Sequence, residues 1–159
     1  MSAPGRILVA GIGNIFLGDD AFGVEVARRL ARRTLPEGVR VVDFGIRGLD
    51  LAYALMEDYA AVILVDASPR GRTPGTLYEI EPDPVDGAAA VDPHAAVPHQ
   101  VLGLVRSMGG TLPPVRVVGC EPRTRPDDEP RMGLSPEVEG AVEPAIALVQ
   151  DVIRELRHA

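Results

Sequence analysis

RILVAGIGNIFLGDDAFG, residues 6–23, predicts a strand, a glycine-rich turn and the start of a helix. The apolar run ILVA indicates a strand over 6–10, and apolar side chains recurring at helical spacing predict a helix over 21–33. In open α/β sheets, functional groups lie where strands end, and glycines allow the sharp turn that is needed there. Asp19 and Asp20 follow this turn, so a carboxylate of the pair is a candidate metal ligand or base.

The composition limits the classes of function. A chain of 159 residues with 46% apolar residues has the size of one domain, 1–159, with a buried core. Its net charge of −7 would repel a phosphate backbone, so we expect no nucleic acid partner. All sixteen basic residues are arginine, which excludes a Schiff-base lysine and the phosphate-binding loop that ends in lysine.

Two sequence features indicate the compartment. The apolar stretch near the N-terminus is too short for a membrane helix and lacks a signal-peptide cleavage pattern, so we expect no membrane insertion. The single cysteine, Cys120, fits a reducing compartment, and we expect it to be a small buried side chain rather than a nucleophile. Both features predict a cytoplasmic protein.

The rest of the chain alternates between predicted strands and helices. Further strands are expected at 39–44, 61–65, 77–81 and 115–118, and further helices at 50–58, at 99–108 and from Ser135 onward with a kink at Pro144. The connection before the fourth strand, 67–76, is too short for a helical crossover, so that strand should run antiparallel. We therefore expect an α/β fold with a mixed five-stranded sheet and both sheet faces covered.

Polar side chains collect at the edge where the parallel strands end. If strands one, two, three and five are parallel, their carboxyl ends bring together Asp20, Asp43, Asp66, His99 and the loop after Glu121. Asp20, Asp66 and His99 come from three separate elements and match a mixed oxygen and nitrogen site for a divalent transition metal. Composition does not choose between nickel, zinc and manganese.

Each of these candidates also has a purely structural interpretation. Asp19 and Asp20 occupy a position where aspartate commonly caps a helix. We expect Asp19 to face its own helix or solvent, which leaves Asp20 free. His94, in an irregular loop, and His158, near the C-terminal end, are weaker ligand candidates than His99.

Four motifs, in this order, resemble the hydrogenase maturation proteases. They are GIGN with GDDAFG in 11–23, VILVDA at 62–67, PHQ at 98–100 and GLSP at 133–136. That family comprises endopeptidases that trim the large subunit of nickel–iron hydrogenases. The resemblance implies a three-layer α/β fold with a twisted five-stranded sheet, and one cut that removes a C-terminal extension after nickel insertion. It also implies that the family's two metal-contacting acids are Asp20 and Asp66 and that its histidine is His99.

The sequence departs from the family pattern at two places. Several relatives carry glutamate at the position of Asp20, whose shorter side chain moves the charge by about one methylene group. After the second strand, other members have Asp-Gly-Gly-Thr or Asp-Cys-Gly-Thr, where this chain has Asp43 followed by FGIRG. The glycines indicate an exposed turn beside the cleft, and the candidate substrate-recognition residues are Gly45, Ile46, Arg47 and Gly48.

The resemblance allows two roles for the metal. In the first, which we favour, Asp20, Asp66 and His99 bind the nickel already seated in the precursor, so that cleavage requires the metal. In the second, the same residues hold their own nickel or another divalent metal, which activates water. Three such ligands without a thiolate should bind free metal weakly, which favours the shared nickel.

Three other functions remain open at this point. A metal-dependent assembly chaperone or binding module for a hydrogenase subunit would use the same ligands without cutting a peptide bond. A peptidyl-tRNA hydrolase-like enzyme shares the Gly-x-Gly-Asn motif but needs a basic surface, whereas this chain is acidic. A dinucleotide-binding domain would place Asp19 and Asp20 against a pyrophosphate of like charge.

Overall fold

The computed structural model describes residues 5–82, 97–125 and 127–158. Its strands are β1 (Ile7–Ile12), β2 (Val39–Gly45), β3 (Ala61–Ala67), β4 (Leu77–Ile80) and β5 (Val115–Cys120). Its α-helices are α1 (Phe22–Leu30), α2 (Gly48–Leu55), α3 (Val97–Ser107), α4 (Pro136–Glu139) and α5 (Val142–Arg157). A 3-10 turn over Gly18–Ala21 joins β1 to α1. The strands form one sheet in the order β2-β1-β3-β5-β4.

The sheet is mixed. β1 pairs in parallel with β2 and β3, and β3 pairs in parallel with β5. β4 pairs antiparallel with β5, from Leu77 opposite Cys120 to Ile80 opposite Val117. This pairing confirms the predicted antiparallel direction of the fourth strand. The physical reason is that the short segment before β4 cannot carry a helix across the sheet.

Helices cover both faces of the sheet, which makes three layers. β1 and β3 are buried along their whole length, as expected for central strands that are covered on both sides. Successive side chains point to opposite faces. On one face, Val9 and Ile63 belong to a core with α1 and α5, whereas Leu8 and Leu64 belong to a core with α2 and α3 on the other.

Three helices begin and end away from their predicted positions, and one of them is α3, which begins at Val97 rather than at 99 and ends at Ser107 rather than at 108. α1 starts only after the 3-10 turn and ends at Leu30 rather than at 33. α2 begins at Gly48 rather than at 50 and ends at Leu55 rather than at 58. Apolar periodicity identifies a helix but does not report which residue makes its last hydrogen bond.

The C-terminal helix is broken rather than merely kinked. α4 ends at Glu139, and α5 begins at Val142. Pro144 lies in the first turn of α5, where its missing N–H is not needed. In one continuous helix its ring would clash with the carbonyl group of Gly140, so the chain is interrupted just before the proline.

Two compositional expectations have structural counterparts. Cys120 is fully buried, and burial, together with the charges of Asp19 and Glu121, raises the pKa of its thiol to about 12. A thiol of this kind is not a nucleophile at neutral pH. Among the helices in the described ranges, none combines the length and the apolar character that crossing a membrane requires.

Candidate active site

Asp20 lies in the 3-10 turn between β1 and α1. Its Oδ2 atom accepts a hydrogen bond of 2.8 Å from the backbone N–H of Asn14, which closes the glycine turn onto the carboxylate. Gly13 has a φ of 148°, and a Cβ atom there would overlap the carbonyl oxygen of Asp20. Because only glycine allows this close approach, the turn determines where the Asp20 carboxylate lies.

Asp66 is buried near the carboxyl end of β3, with 4% of its surface exposed. Gly23, in the first turn of α1, packs so closely on this end of the strand that a Cβ atom would overlap the carbonyl oxygen of Val65. This packing brings the start of α1, and Asp20 before it, next to Asp66. The sequence therefore brings two carboxylates together through two glycines.

The two carboxylates are held in an environment that disfavours their charge. Burial raises the pKa of Asp66 well above its usual range, and the negative charge of Asp20 raises it further. Burial also raises the pKa of Asp20, against the hydrogen bond from Asn14. Within the described ranges, neither carboxylate forms an ion pair with an arginine. A bound cation is the kind of ligand that would stabilise this pair.

Both carboxylates line an open cavity of about 290 Å³ at the carboxyl edge of the sheet. The other walls come from the segment after β2 and from α3, which contributes Gln100, Val101 and Leu104. A concave and largely apolar site that contains carboxylates with perturbed pKa values has the form of an active site.

His99 lies in the first helical turns of α3, next to the cavity wall. Its neighbour Gln100 lines the cavity, whereas His99 does not. In the part of the chain that the structure describes, no three His, Cys, Asp or Glu side chains are arranged to hold one metal ion. The structure thus brings Asp20 and Asp66 together and leaves His99 off the cavity wall, so the three-ligand site stays a prediction. His94 lies outside the described residues.

The predicted substrate-recognition turn borders the same cavity. Its four residues all line the cavity wall: Gly45, Ile46, Arg47 and Gly48. Gly45 has a φ of 55°, which turns the chain sharply after β2. The guanidinium of Arg47 donates a hydrogen bond of 2.6 Å to the carbonyl oxygen of Asp43 and lies over the ring of Phe44. A role of this turn in recognition stays a prediction.

The expectation that Asp19 faces its own helix or solvent is wrong. Its carboxylate is fully buried and accepts hydrogen bonds from the backbone N–H groups of Arg123, Thr124 and Ser135 and from the Ser135 hydroxyl. Burial opposes its ionisation, but these hydrogen bonds outweigh that effect and lower the pKa of Asp19. Sequence reasoning missed this role because the donors lie 104 to 116 residues further along the chain.

The remaining acids at this edge of the sheet have structural partners. Glu121 is buried, and its Oε1 atom accepts hydrogen bonds from the backbone N–H groups of Arg70 and Arg72 at 2.7 and 3.1 Å. It therefore orders the loop that follows β3. Asp43 forms an ion pair with Arg28 at 3.3 Å. Of the acids that sequence analysis collected here, Asp20 and Asp66 are the ones that line the cavity.

The sequence is similar to proteins of one family over nearly its whole length. The sequence profile of the family described as hydrogenase maturation protease matches residues 24–152. The hydrogenase expression/formation protein HupD of Rhodobacter capsulatus is 36% identical over 158 residues, which cover 97% of this chain and 72% of that protein. The hydrogenase 2 maturation protease of Escherichia coli K12 is 34% identical over 154 residues, which cover 94% of this chain and 92% of that protein.

The structure is similar to solved structures of the same family. The hydrogenase maturating endopeptidase HybD from E. coli superimposes with a TM-score of 0.77 at 34% sequence identity. The match covers 94% of this chain and 93% of that one. These similarities confirm the resemblance that the four sequence motifs indicated. The chain therefore belongs to the hydrogenase maturation protease family, a family of endopeptidases.

Proposed function

We propose that this protein removes the C-terminal extension of a nickel–iron hydrogenase large-subunit precursor after nickel insertion, in the cytoplasm. The observation that carries the proposal is the pair Asp20 and Asp66 on the wall of one open cavity, in a fold shared with a hydrogenase maturating endopeptidase. C-terminal processing of the hydrogenase large subunit is the general role of the family, and it supplies the class of substrate.

Nickel enters this proposal as part of the substrate. Asp20 and Asp66 offer oxygen ligands that a divalent metal accepts, and a cation would stabilise their crowded negative charge. Two carboxylates hold a free divalent ion weakly, whereas a metal already bound by the precursor needs few further ligands. Cleavage would then require the nickel-loaded precursor. Nickel or another divalent metal held by the protease itself is the alternative.

His99 is the third ligand in the proposal. Its support is its place in α3 beside the cavity residue Gln100, and its match to the histidine of the family motif. Because His99 does not line the cavity, its contribution has to be tested separately from that of the two carboxylates.

Intact-mass spectrometry of a precursor large subunit tests the proposal. Nickel-loaded and nickel-free precursors are incubated with the protein at equal concentrations. The expected result is the loss of one defined C-terminal fragment from the nickel-loaded precursor alone. Equal cleavage of both precursors would favour a metal held by the protease. Binding without cleavage of either precursor would favour an assembly chaperone.

A further inference from the structure

Some of the large exposed apolar side chains line the cavity or the groove beside it. Among the described residues, those that are exposed are Phe16, Ile46, Leu49, Tyr53, Met108 and Met132. Met108 lies just beyond the end of α3. The other five are between 54% and 75% exposed, and we call them the apolar rim.

The cavity and an adjoining groove share a wall that carries part of the rim. Ile46 and Leu49 line the cavity that contains the two carboxylates. A groove of about 320 Å³ shares Gly13 and residues 44–47 with that cavity, and Phe16 also lines it. The rim therefore continues from the cavity into the groove along one wall.

Tyr53 and Met132 extend the rim beyond the shared wall. Tyr53 lies one helical turn after Leu49 on α2, so the two side chains share a face of the helix. Met132 follows Arg131, whose backbone N–H donates a hydrogen bond of 2.9 Å to the carbonyl oxygen of Phe16. Tyr53 and Met132 therefore lie on segments that adjoin those of the lining residues Leu49 and Phe16.

The rim differs from the usual scatter of apolar residues on a protein surface. The chain contains three phenylalanines, three tyrosines and no tryptophan. Phe16 and Tyr53 are exposed and both belong to the rim, whereas the other aromatic residues are buried: Phe22, Phe44, Tyr59 and Tyr78. Exposed apolar side chains that line a cavity and the groove beside it, as Phe16, Ile46 and Leu49 do, are typical of a place where a partner binds.

The charges beside the groove are largely paired with each other. Arg28 and Asp43 both line it and form an ion pair at 3.3 Å. The guanidinium of Arg47 contacts Asp50 at 3.4 Å in addition to the carbonyl oxygen of Asp43. Because these charges already have partners, the groove favours an apolar ligand over a charged one.

We propose that the apolar rim binds an extended, predominantly apolar segment of the precursor polypeptide beside the bond that is cut. This inference rests on the proposed function and adds the chemistry of the substrate segment. The continuity between groove and cavity carries it, since an endopeptidase must hold chain on both sides of the scissile bond. A segment that lies across both would remove rim side chains from water.

Steady-state kinetics with matched variants test the inference. Phe16→Ser and Leu49→Ser together remove two rim side chains, and Met108→Ser removes an exposed apolar side chain outside the rim. For nickel-loaded precursor, the double variant should raise KM about tenfold, because the two side chains would no longer bury apolar surface against the segment. Met108→Ser should leave KM and kcat unchanged. Thermal unfolding of each variant verifies that it is folded.

A binding measurement tests the contribution of the rim to precursor affinity independently of the cleavage reaction. Precursor affinity is measured by isothermal titration calorimetry with Asp66→Asn, with and without the two rim substitutions. Weaker binding by the rim variant supports the inference even if the wild-type protein cleaves no precursor, a result that would overturn only the proposed function.

Equal affinity with and without the rim substitutions overturns the inference, and so does an absence of any binding. Cleavage with an unchanged KM in the rim variant also overturns it while the proposed function stands. Sedimentation supplies one further outcome. A wild-type dimer that the rim substitutions dissociate would show that a second copy of the chain covers the rim, which contradicts the inference.

Discussion

Asp19 and Asp20 are adjacent in the chain and have opposite surroundings. Asp19 is fully buried and receives hydrogen bonds from three backbone N–H groups and one hydroxyl, which lower its pKa despite its burial. Asp20 lines an open cavity and accepts a hydrogen bond from Asn14, and burial raises its pKa. One carboxylate joins distant segments, whereas its neighbour forms no ion pair with an arginine among the residues that the structure describes.

The difference shows that the number of hydrogen-bond donors around a buried carboxylate, rather than its residue type, determines whether it has a structural role or stays available to a ligand. Successive side chains in a 3-10 turn are rotated by about 120°, so neighbouring residues cannot share surroundings. Asp19 points at the segment between β5 and α4, which supplies its donors. Asp20 points at the cavity and at Asp66. Holding Asp19 in place therefore also holds the turn that carries Asp20.

The largest expected effect on precursor processing comes from removing the charge of Asp20, the aspartate that lines the cavity. Asp20→Asn should slow precursor processing about 10³-fold, because an amide keeps the shape and loses the charge. The free energy of unfolding should not decrease, since burial disfavours the charge that is lost. Intact-mass kinetics and urea denaturation measure the two quantities.

Asp151→Asn is the matched control, since it makes the same change at an exposed carboxylate on α5. This variant should process precursor at the wild-type rate. Near-normal processing by Asp20→Asn would contradict the assignment of its carboxylate to the site.

Removing the charge of the buried Asp19 should lower the stability of the fold instead. Asp19→Asn should lower the free energy of unfolding by about 3 kcal/mol, because an amide replaces one acceptor oxygen with a donor that faces other donors. Urea denaturation measures the loss. Asp128→Asn is an exposed change in the same segment, where the remaining amide oxygen can still accept the hydrogen bond from the Arg125 N–H, so it should cost about 1 kcal/mol or less. Equal losses in the two variants would show that the buried network adds no stability.

A test of His99 determines whether the proposed metal site that contains Asp20 has two protein ligands or three. His99→Ala should slow processing of nickel-loaded precursor about 10²-fold if its imidazole joins the carboxylates at the metal. His158→Ala, at the exposed end of α5, should have no effect. Processing rates from intact-mass spectra measure both variants. A wild-type rate for His99→Ala would restrict the site to Asp20 and Asp66.

The smallest expected effect is a difference in pH dependence between the two kinds of carboxylate. The pKa of Asp66 is raised in the folded state above its unfolded value of about 4. Above that pH, the native state therefore binds more protons than the unfolded chain. The contribution of Asp66 to the free energy of unfolding falls as pH rises. Asp66→Asn should therefore increase the free energy of unfolding at pH 7 by about 1 kcal/mol and lose this advantage near pH 4.

Asp19 should show the opposite sign. Its pKa is lowered, so its stabilising contribution is present above about pH 4 and is lost as pH falls through the folded-state value. Urea denaturation at pH 7 and in acid measures both variants, with Asp151→Asn as a control that follows the wild-type profile. Parallel profiles for wild type and Asp66→Asn would contradict the unfavourable burial of that charge.

Part of the candidate site could be predicted because it follows from strand ends. Asp66 directly follows the run VILV, and Asp20 follows the glycine turn after β1, so a parallel sheet brings both to one edge. The position of the His99 side chain could not be predicted, because the rotation of α3 about its axis depends on how its apolar face packs. That rotation places Gln100 on the cavity wall.

By itself, the sequence determined the strands, the antiparallel fourth strand and the acids at the carboxyl edge, because periodicity and connection length are local properties. Only the tertiary structure decided which of the two adjacent aspartates is buried, since the donors to Asp19 come from segments 104 to 116 residues away. It also decided that Phe16 and Tyr53 stay exposed while the other aromatic residues are buried. Burial depends on what packs against a side chain, and that partner is distant in the chain.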